Sequence, residues 1–173
     1  MKTPPHQVPV LIPFVAALLF AAIVAPTLAA NPNFEGQWRI DLERSDPMRD
    51  GLEVDNAYVL TLDGEDLHAR RTFFGNGQSQ SLEWTFETDG KPHEIPGMME
   101  PRKARVKWRK DKLGVSYTMN RQTPRGPMDI DVTETWKITE EGELEIAYAM
   151  RVGQRTMRRK EIYRRAEASS EEP

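Results

Sequence analysis

Four ionisable side chains, Glu134, Arg159, Glu161 and Arg165, fall where the alternation of the sequence otherwise puts apolar ones. In residues 128–138 one face reads Met128, Ile130, Val132, Trp136 and Ile138, with Glu134 set among them. In residues 156–165, if Met157 and Tyr163 face inward, then Arg159, Glu161 and Arg165 do as well, because alternate side chains of a strand share a face. Polar groups enclosed in this way must be paired or wet. Two chemistries fit. Arg159 could hold the carboxylate or phosphate head of an amphipathic ligand whose tail lies among Met and aromatic side chains. Alternatively, Glu134 pairs internally with Arg159 or Arg165, fixing the last strand and binding nothing. A single inward Arg among acids favours the internal pair.

Methionine is the second chemical feature. Met48, Met98, Met99, Met119, Met128, Met150 and Met157 are flexible and polarizable, properties used where one surface must fit several apolar partners. With Phe73 or Phe74 and Tyr148 they could line the mouth of a greasy pocket, or they could fill irregular space beneath capping loops. Met98, Met99 and His93 contain thioether and imidazole donors suited to Cu(I), but two adjacent Met and one His make a thin set, and no metal or cofactor is expected.

Catalysis finds little support. Glu134 and His68 could be drawn as an acid and a base, yet Leu67, Ala69, Arg71 and Phe73 alternate with His68, Arg70, Thr72 and Phe74, so neither face is plainly interior. The chain contains no Gly-x-Ser-x-Gly, no His-x-x-x-His and no Gly-rich phosphate loop, and its lack of Cys removes thiol nucleophiles. The reading is therefore not an enzyme. Six Lys or Arg in residues 102–110 alternate with Ala104, Val106 and Trp108, the pattern of one solvated strand face. With a net charge of -3, nucleic acid is not an expected partner. Asp129, Asp131, Glu143 and Glu145 are expected to meet Arg158 and Lys160 in exposed ladders.

The elements that must position these residues occupy a chain of 173 residues, 38% hydrophobic and 29% charged, enough for one ordinary domain. Residues 1–29 carry Lys2, an apolar run over residues 8–25 and the small-residue end Thr27-Leu28-Ala29-Ala30, the order of a signal peptide cut after Ala29. A retained membrane anchor fits less well, since Pro13 interrupts the run and no basic cluster follows it. The expectation is a periplasmic or secreted monomer without stable membrane insertion. No Asn-x-Ser/Thr acceptor is present, which suits a bacterial exterior. One domain is expected over residues 30–165, with a disordered tail at 166–173.

From Gly36 onward the pattern has period two. It predicts strands over residues 36–42, 56–62, 67–74, 81–87, 103–110, 115–120, 128–138, 144–152 and 156–165, with a short, poor one at 91–96. Tight turns are read at Asp63-Gly64-Glu65, Thr88-Asp89-Gly90, Asp111-Lys112 and residues 139–142, and longer connections at 43–55, 75–80, 97–102, 121–127 and 153–155. Alternation of short and long connections gives an all-β, up-and-down antiparallel barrel of eight to ten strands with one tight end and one loop end. Trp38, Trp108, Trp136 and Tyr163 fall near the tight end as a plug, and the methionines fall near the loop end.

Phe34-Glu35-Gly36-Gln37-Trp38-Arg39-Ile40-Asp41, followed by Ser45-Asp46, resembles the opening of lipocalin-like barrels, and Ile162-Tyr163-Arg164-Arg165 is similar to last strands whose Arg packs over the first-strand Trp. The resemblance implies structural roles for Gly36, Trp38 and Arg165, and a barrel closed at the Trp end with an apolar ligand inside. Two departures stand out: the long helix that packs beside many lipocalin barrels has no counterpart in the sequence, and a fatty-acid-binding-like Arg-x-Tyr carboxylate clamp on the last strand is not matched by Tyr163-Arg164-Arg165. The combined expectation is an exported lipocalin-like protein that takes a small apolar or amphipathic molecule, lipid-like in character, through its loop end. Its candidate ligand-binding residues are Phe73, Met119, Met128, Glu134, Tyr148, Met150, Met157 and Arg159. The alternative is a filled, ligand-free barrel whose loops contact another envelope or secreted protein.

Overall fold

The structure, a computed structural model, describes residues 32–47, 54–97, 100–124 and 126–166. The expected signal peptide at 1–29, Met48, Met98, Met99 and the tail beyond Ala166 lie outside them. Ten strands follow one another: β1 (Gly36–Ile40), β2 (Asp55–Asp63), β3 (Asp66–Gly75), β4 (Gln78–Phe86), β5 (Asp89–Ile95), β6 (Arg102–Arg109), β7 (Lys112–Thr123), β8 (Gly126–Ile138), β9 (Leu144–Val152) and β10 (Arg155–Arg165). All pair antiparallel in a single sheet ordered β4-β3-β2-β1-β10-β9-β8-β7-β6-β5. No described helix is long and apolar enough to cross a membrane.

The period-two pattern becomes burial directly. Tyr58 and Leu60 on β2, Ala104 and Val106 on β6, Leu113 and Val115 on β7, and Leu144 and Ile146 on β9 are buried between exposed or half-buried neighbours, the signature of strands with one enclosed face. The barrel closes as expected between its first and last strands, with Trp38 opposite Arg165 and Ile40 opposite Tyr163. The segment after β1 prolongs that seam. Asp41 N–H donates to the Ile162 carbonyl, Ser45 Oγ accepts the Ile162 N–H at 2.9 Å, and the Asp46 carboxylate accepts the Lys160 N–H at 2.8 Å.

Two expectations about connections are corrected. Thr88-Asp89-Gly90 does not close a hairpin, because β4 and β5 form the two edges of the sheet and are not hydrogen-bonded to each other. Thr88 turns away from such a pairing: its N–H donates to the Asp66 carboxylate and its hydroxyl to the Glu65 carbonyl. A register break between Asp89 and Pro92, the latter lacking an N–H, marks β5 as an edge. The loop end also carries fewer large loops than expected. Asn76 and Gly77, at φ 51° and 71°, make a tight primed turn between β3 and β4, and β7–β8 and β9–β10 are joined as tightly. Only residues 41–54 and 96–101 remain as long connections there.

The tight end is sealed by aromatic side chains. Trp38, Trp136, Tyr163, Phe34 and Phe86 are fully buried, with Phe86 5.4 Å from Trp136 and Tyr58 stacking edge-on against both Trp136 and Tyr163. Trp38 donates its indole N–H to the Phe34 carbonyl at 2.8 Å, and the Arg165 guanidinium lies 4.4 Å above its ring while donating to the Glu35 and Asn33 carbonyls. Gly36 is required here, because a Cβ at that position would stand 2.6 Å from Arg165 Nη1 and the residue has φ +127°. Trp108 joins the floor through Phe34 and its indole N–H bond to the Glu65 carbonyl.

Candidate functional site: the barrel lumen

Above the aromatic floor the lumen holds a polar layer. Glu161 on β10 is buried at 2% exposure and accepts bonds from every direction: Arg159 Nη2 at 2.9 Å, Tyr163 Oη at 2.7 Å, Tyr148 Oη at 2.8 Å and Arg71 Nη2 at 3.3 Å. Arg71 reaches it from β3, held by Asn56 through its Nε at 3.1 Å and flanked by the rings of Tyr58 and Phe73 at 5.0 and 4.8 Å. Arg159 lies 4.5 Å over the Tyr148 ring. Burial alone would raise the Glu161 carboxyl, but the two guanidiniums and the two phenols outweigh it and hold it below the usual carboxylate range. Burial pushes Tyr58, Tyr148 and Tyr163 up, so these phenols keep their protons, and Tyr148 and Tyr163 donate theirs to Glu161.

A second polar group stands two strands away. Glu134 on β8 accepts the Tyr117 hydroxyl at 2.7 Å and the Trp136 indole N–H at 2.9 Å. Burial pushes the Tyr117 phenol up, and Glu134 beside it adds to the effect. The Arg102 guanidinium stacks 4.2 Å over the Tyr117 ring and its Nη1 meets Met119 Sδ at 3.6 Å, while its buried Nε has no hydrogen-bond partner among the described residues. The buried indole N–H of Trp84 is likewise unsatisfied.

The expected internal ion pair therefore forms with a different acid. Glu134 and Arg159 are each opposite Tyr148 in the ladder, one on either side, so β9 separates them and Tyr148 fills the gap. Glu161, two residues from Arg159 on the same face of the same strand, reaches it instead. Arg165 faces Trp38 and makes no pair with Glu134. Catalysis by His68 with Glu134 has no geometric basis: His68 is exposed on the outer face, bonded to Thr85 Oγ1 at 2.7 Å. His93 pairs with Glu87 and Asp89, and the described residues hold no cluster of metal-ligating His, Cys, Asp or Glu. The outer ladders run Asp131 to Arg151 and Glu145 to Lys137, rather than to Arg158 and Lys160.

Of the remaining candidate residues, Tyr148 is buried, and Phe73, Met119, Met128, Met150 and Met157 are all half-buried near the ends of strands that open away from the floor. Arg71, Asn56, Tyr58, Tyr117 and Arg102 complete the lumen and were not singled out as site residues. For Arg71 the signal was present: it continues the face of Leu67 and Ala69, both buried. A groove of about 350 Å³ lies on the outer wall instead, where Ala147 and Ala149 leave a trough between Thr133 and Thr135 on one side and Arg158 and Lys160 on the other.

No protein-family model matches the chain, and no curated protein does. Solved structures do resemble it. A protein described as the REP1-NXSQ fatty acid transporter superposes with a TM-score of 0.51 at 11% identity, covering 77% of this chain and 96% of that one. Secretory abundant heat soluble protein 4 from Ramazzottius varieornatus gives 0.53 at 11% identity over 77% of this chain and 94% of its own, and a further such protein from the same organism gives 0.52 at 11% over 80% and 98%. Identities this low speak to the fold, and they agree with the ten-stranded, nearly closed barrel, which has no helix among the described residues: the chain has a lipocalin-like, calycin-type β-barrel fold.

Proposed function

We propose that the protein is an exported carrier that holds a small apolar or amphipathic molecule in the outer half of its barrel. The observation that carries this reading is the change of lining along the lumen. Below the polar layer the inward side chains are fully buried and fill the space; beyond it Phe73, Met119, Met128, Met150 and Met157 face inward by register yet stay partly exposed. Methionine suits a wall that must fit a flexible apolar guest. The similarity to a barrel described as a fatty acid transporter supports a lipid-like guest. Export rests on the order of charge, apolar run and small residues in 1–29.

Native mass spectrometry of protein purified from the extracytoplasmic fraction of its own cells tests this, with a stoichiometric small-molecule adduct as the expected result. Uptake of the neutral dye Nile red by purified protein gives the second readout. Met150→Glu puts a charge on the apolar wall and is expected to abolish dye uptake while leaving the unfolding free energy within about 1 kcal/mol of the parent. Unchanged uptake takes this wall out of the site. A second reading, a filled barrel that contacts another envelope or secreted protein, draws on the polar layer that already occupies the middle of the lumen. A clean apo mass together with no dye uptake favours it.

A further inference from the structure

We infer that Glu161 is a resident carboxylate occupying the barrel's own anion cradle, so that the end of the guest nearest the polar layer is uncharged. The inference rests on the reading of the lumen as a binding site and narrows its ligand class.

The geometry is that of a recognised anion. Arg71 from β3, Tyr148 from β9, and Arg159 and Tyr163 from β10 converge on one carboxylate, placing two guanidinium and two phenol donors around its two oxygens. Both oxygens are engaged, Oε1 by Arg159 and Oε2 by Tyr148, Tyr163 and Arg71. The donors are themselves fixed. Asn56 Oδ1 holds Arg71 Nε and lies 2.9 Å from the Tyr163 hydroxyl oxygen, and the Tyr58, Phe73 and Tyr148 rings lie against the two guanidiniums. With side-chain exposures of 15% and 19%, Arg71 and Arg159 offer little surface beyond what Glu161 already uses.

A guest arriving with its own carboxylate would lie beside Glu161 in a partly desolvated space, where the Arg71 and Arg159 Nη2 groups and the two phenols that could have held it are already turned to Glu161. An alcohol, ester or hydrocarbon end does not need them and leaves the network intact. Arg102 is the lumen cation without a carboxylate partner among the described residues, but it stands against Tyr117 and Met119, and Tyr117 links it to the second carboxylate, Glu134.

The test compares 1-dodecanol with dodecanoate, identical in chain and different in charge at pH 7, by displacement of Nile red from the wild-type protein. The alcohol is expected to bind at least tenfold more tightly. Dodecanoate binding as tightly as dodecanol overturns the inference, and loss of that binding in Arg102→Met would place the head group on Arg102 instead.

A second arm reads the cradle without a lipid. Glu161→Ala is refolded in sodium acetate or in sodium chloride of equal concentration. A higher unfolding midpoint or refolding yield in acetate, absent for the wild type, is expected, because acetate enters the vacated place. Equal behaviour in the two salts overturns the cradle. A wild-type protein that takes up neither dodecyl chain overturns the carrier reading, and the acetate arm then decides whether the cradle exists.

Discussion

Trp38→Ala should lower the unfolding free energy by about 3–5 kcal/mol, the range for removing a large aromatic side chain from a packed interior. Trp38 is fully buried, and three things depend on it together: the floor it forms with Trp136 and Tyr163, the Phe34 carbonyl that accepts its indole N–H, and the ring face on which Arg165 rests. The alanine variant leaves a cavity, an unsatisfied carbonyl and a guanidinium without its platform at the place where the first and last strands join. Trp38→Phe, which keeps an aromatic face and loses the donor, should lose less. Urea denaturation followed by far-UV circular dichroism measures both; an Ala variant with the parental midpoint would mean that the floor does not hold the barrel shut.

The second large effect is expected at Glu161, where Glu161→Gln should cost about 3–5 kcal/mol because it leaves Arg71 and Arg159 buried without their shared counter-charge. The pH dependence separates this from a packing defect. Because the folded carboxyl sits below its ordinary value of 4.5, its stabilisation is complete above that pH and is lost as the pH falls through the lowered value. The Gln variant has no such proton to take up, so its stability should fall less steeply than the parent's under acid, and the two curves should converge there. Parallel curves would show that the carboxylate is not the source of the acid sensitivity.

How much of this could be read from residues alone follows from what each kind of signal depends on. Alternation is local, so strands such as Met128 to Ile138 and the inward set Arg159, Glu161 and Tyr163 were legible, as were Gly36, Trp38 and Arg165 through their resemblance to a known barrel opening. Turn chemistry was legible and partly misread: Asn76-Gly77 is among the strongest hairpin signals, and it was absorbed into a longer connection. The partner of Arg159 depends on which strand lies between two others, a property of cross-strand register that spacing within one strand does not contain. Arg71 was overlooked for a related reason. Its strand carries Phe on both faces near the open end, so the periodic contrast that marks the enclosed side is weakest just where the charged residue sits.

The order of the strands has a kinetic corollary. Every pairing among the described strands joins neighbours along the chain except that of β1 with β10, while the two sheet edges, β4 and β5, are consecutive in sequence. The molecule is thus a linear meander cut at the wrong place: joining the end of β10 to the start of β1 and opening the backbone between Glu87 and Thr88 would restore strict sequential order without removing any ladder. The one distant encounter in assembly would then become a hairpin. Since folding speed falls as contacts grow more distant in sequence, such a circular permutant should refold faster than the natural chain while reaching the same barrel. Stopped-flow refolding would measure the difference, and equal rates would show that the joining of the first and last strands comes after the slow step.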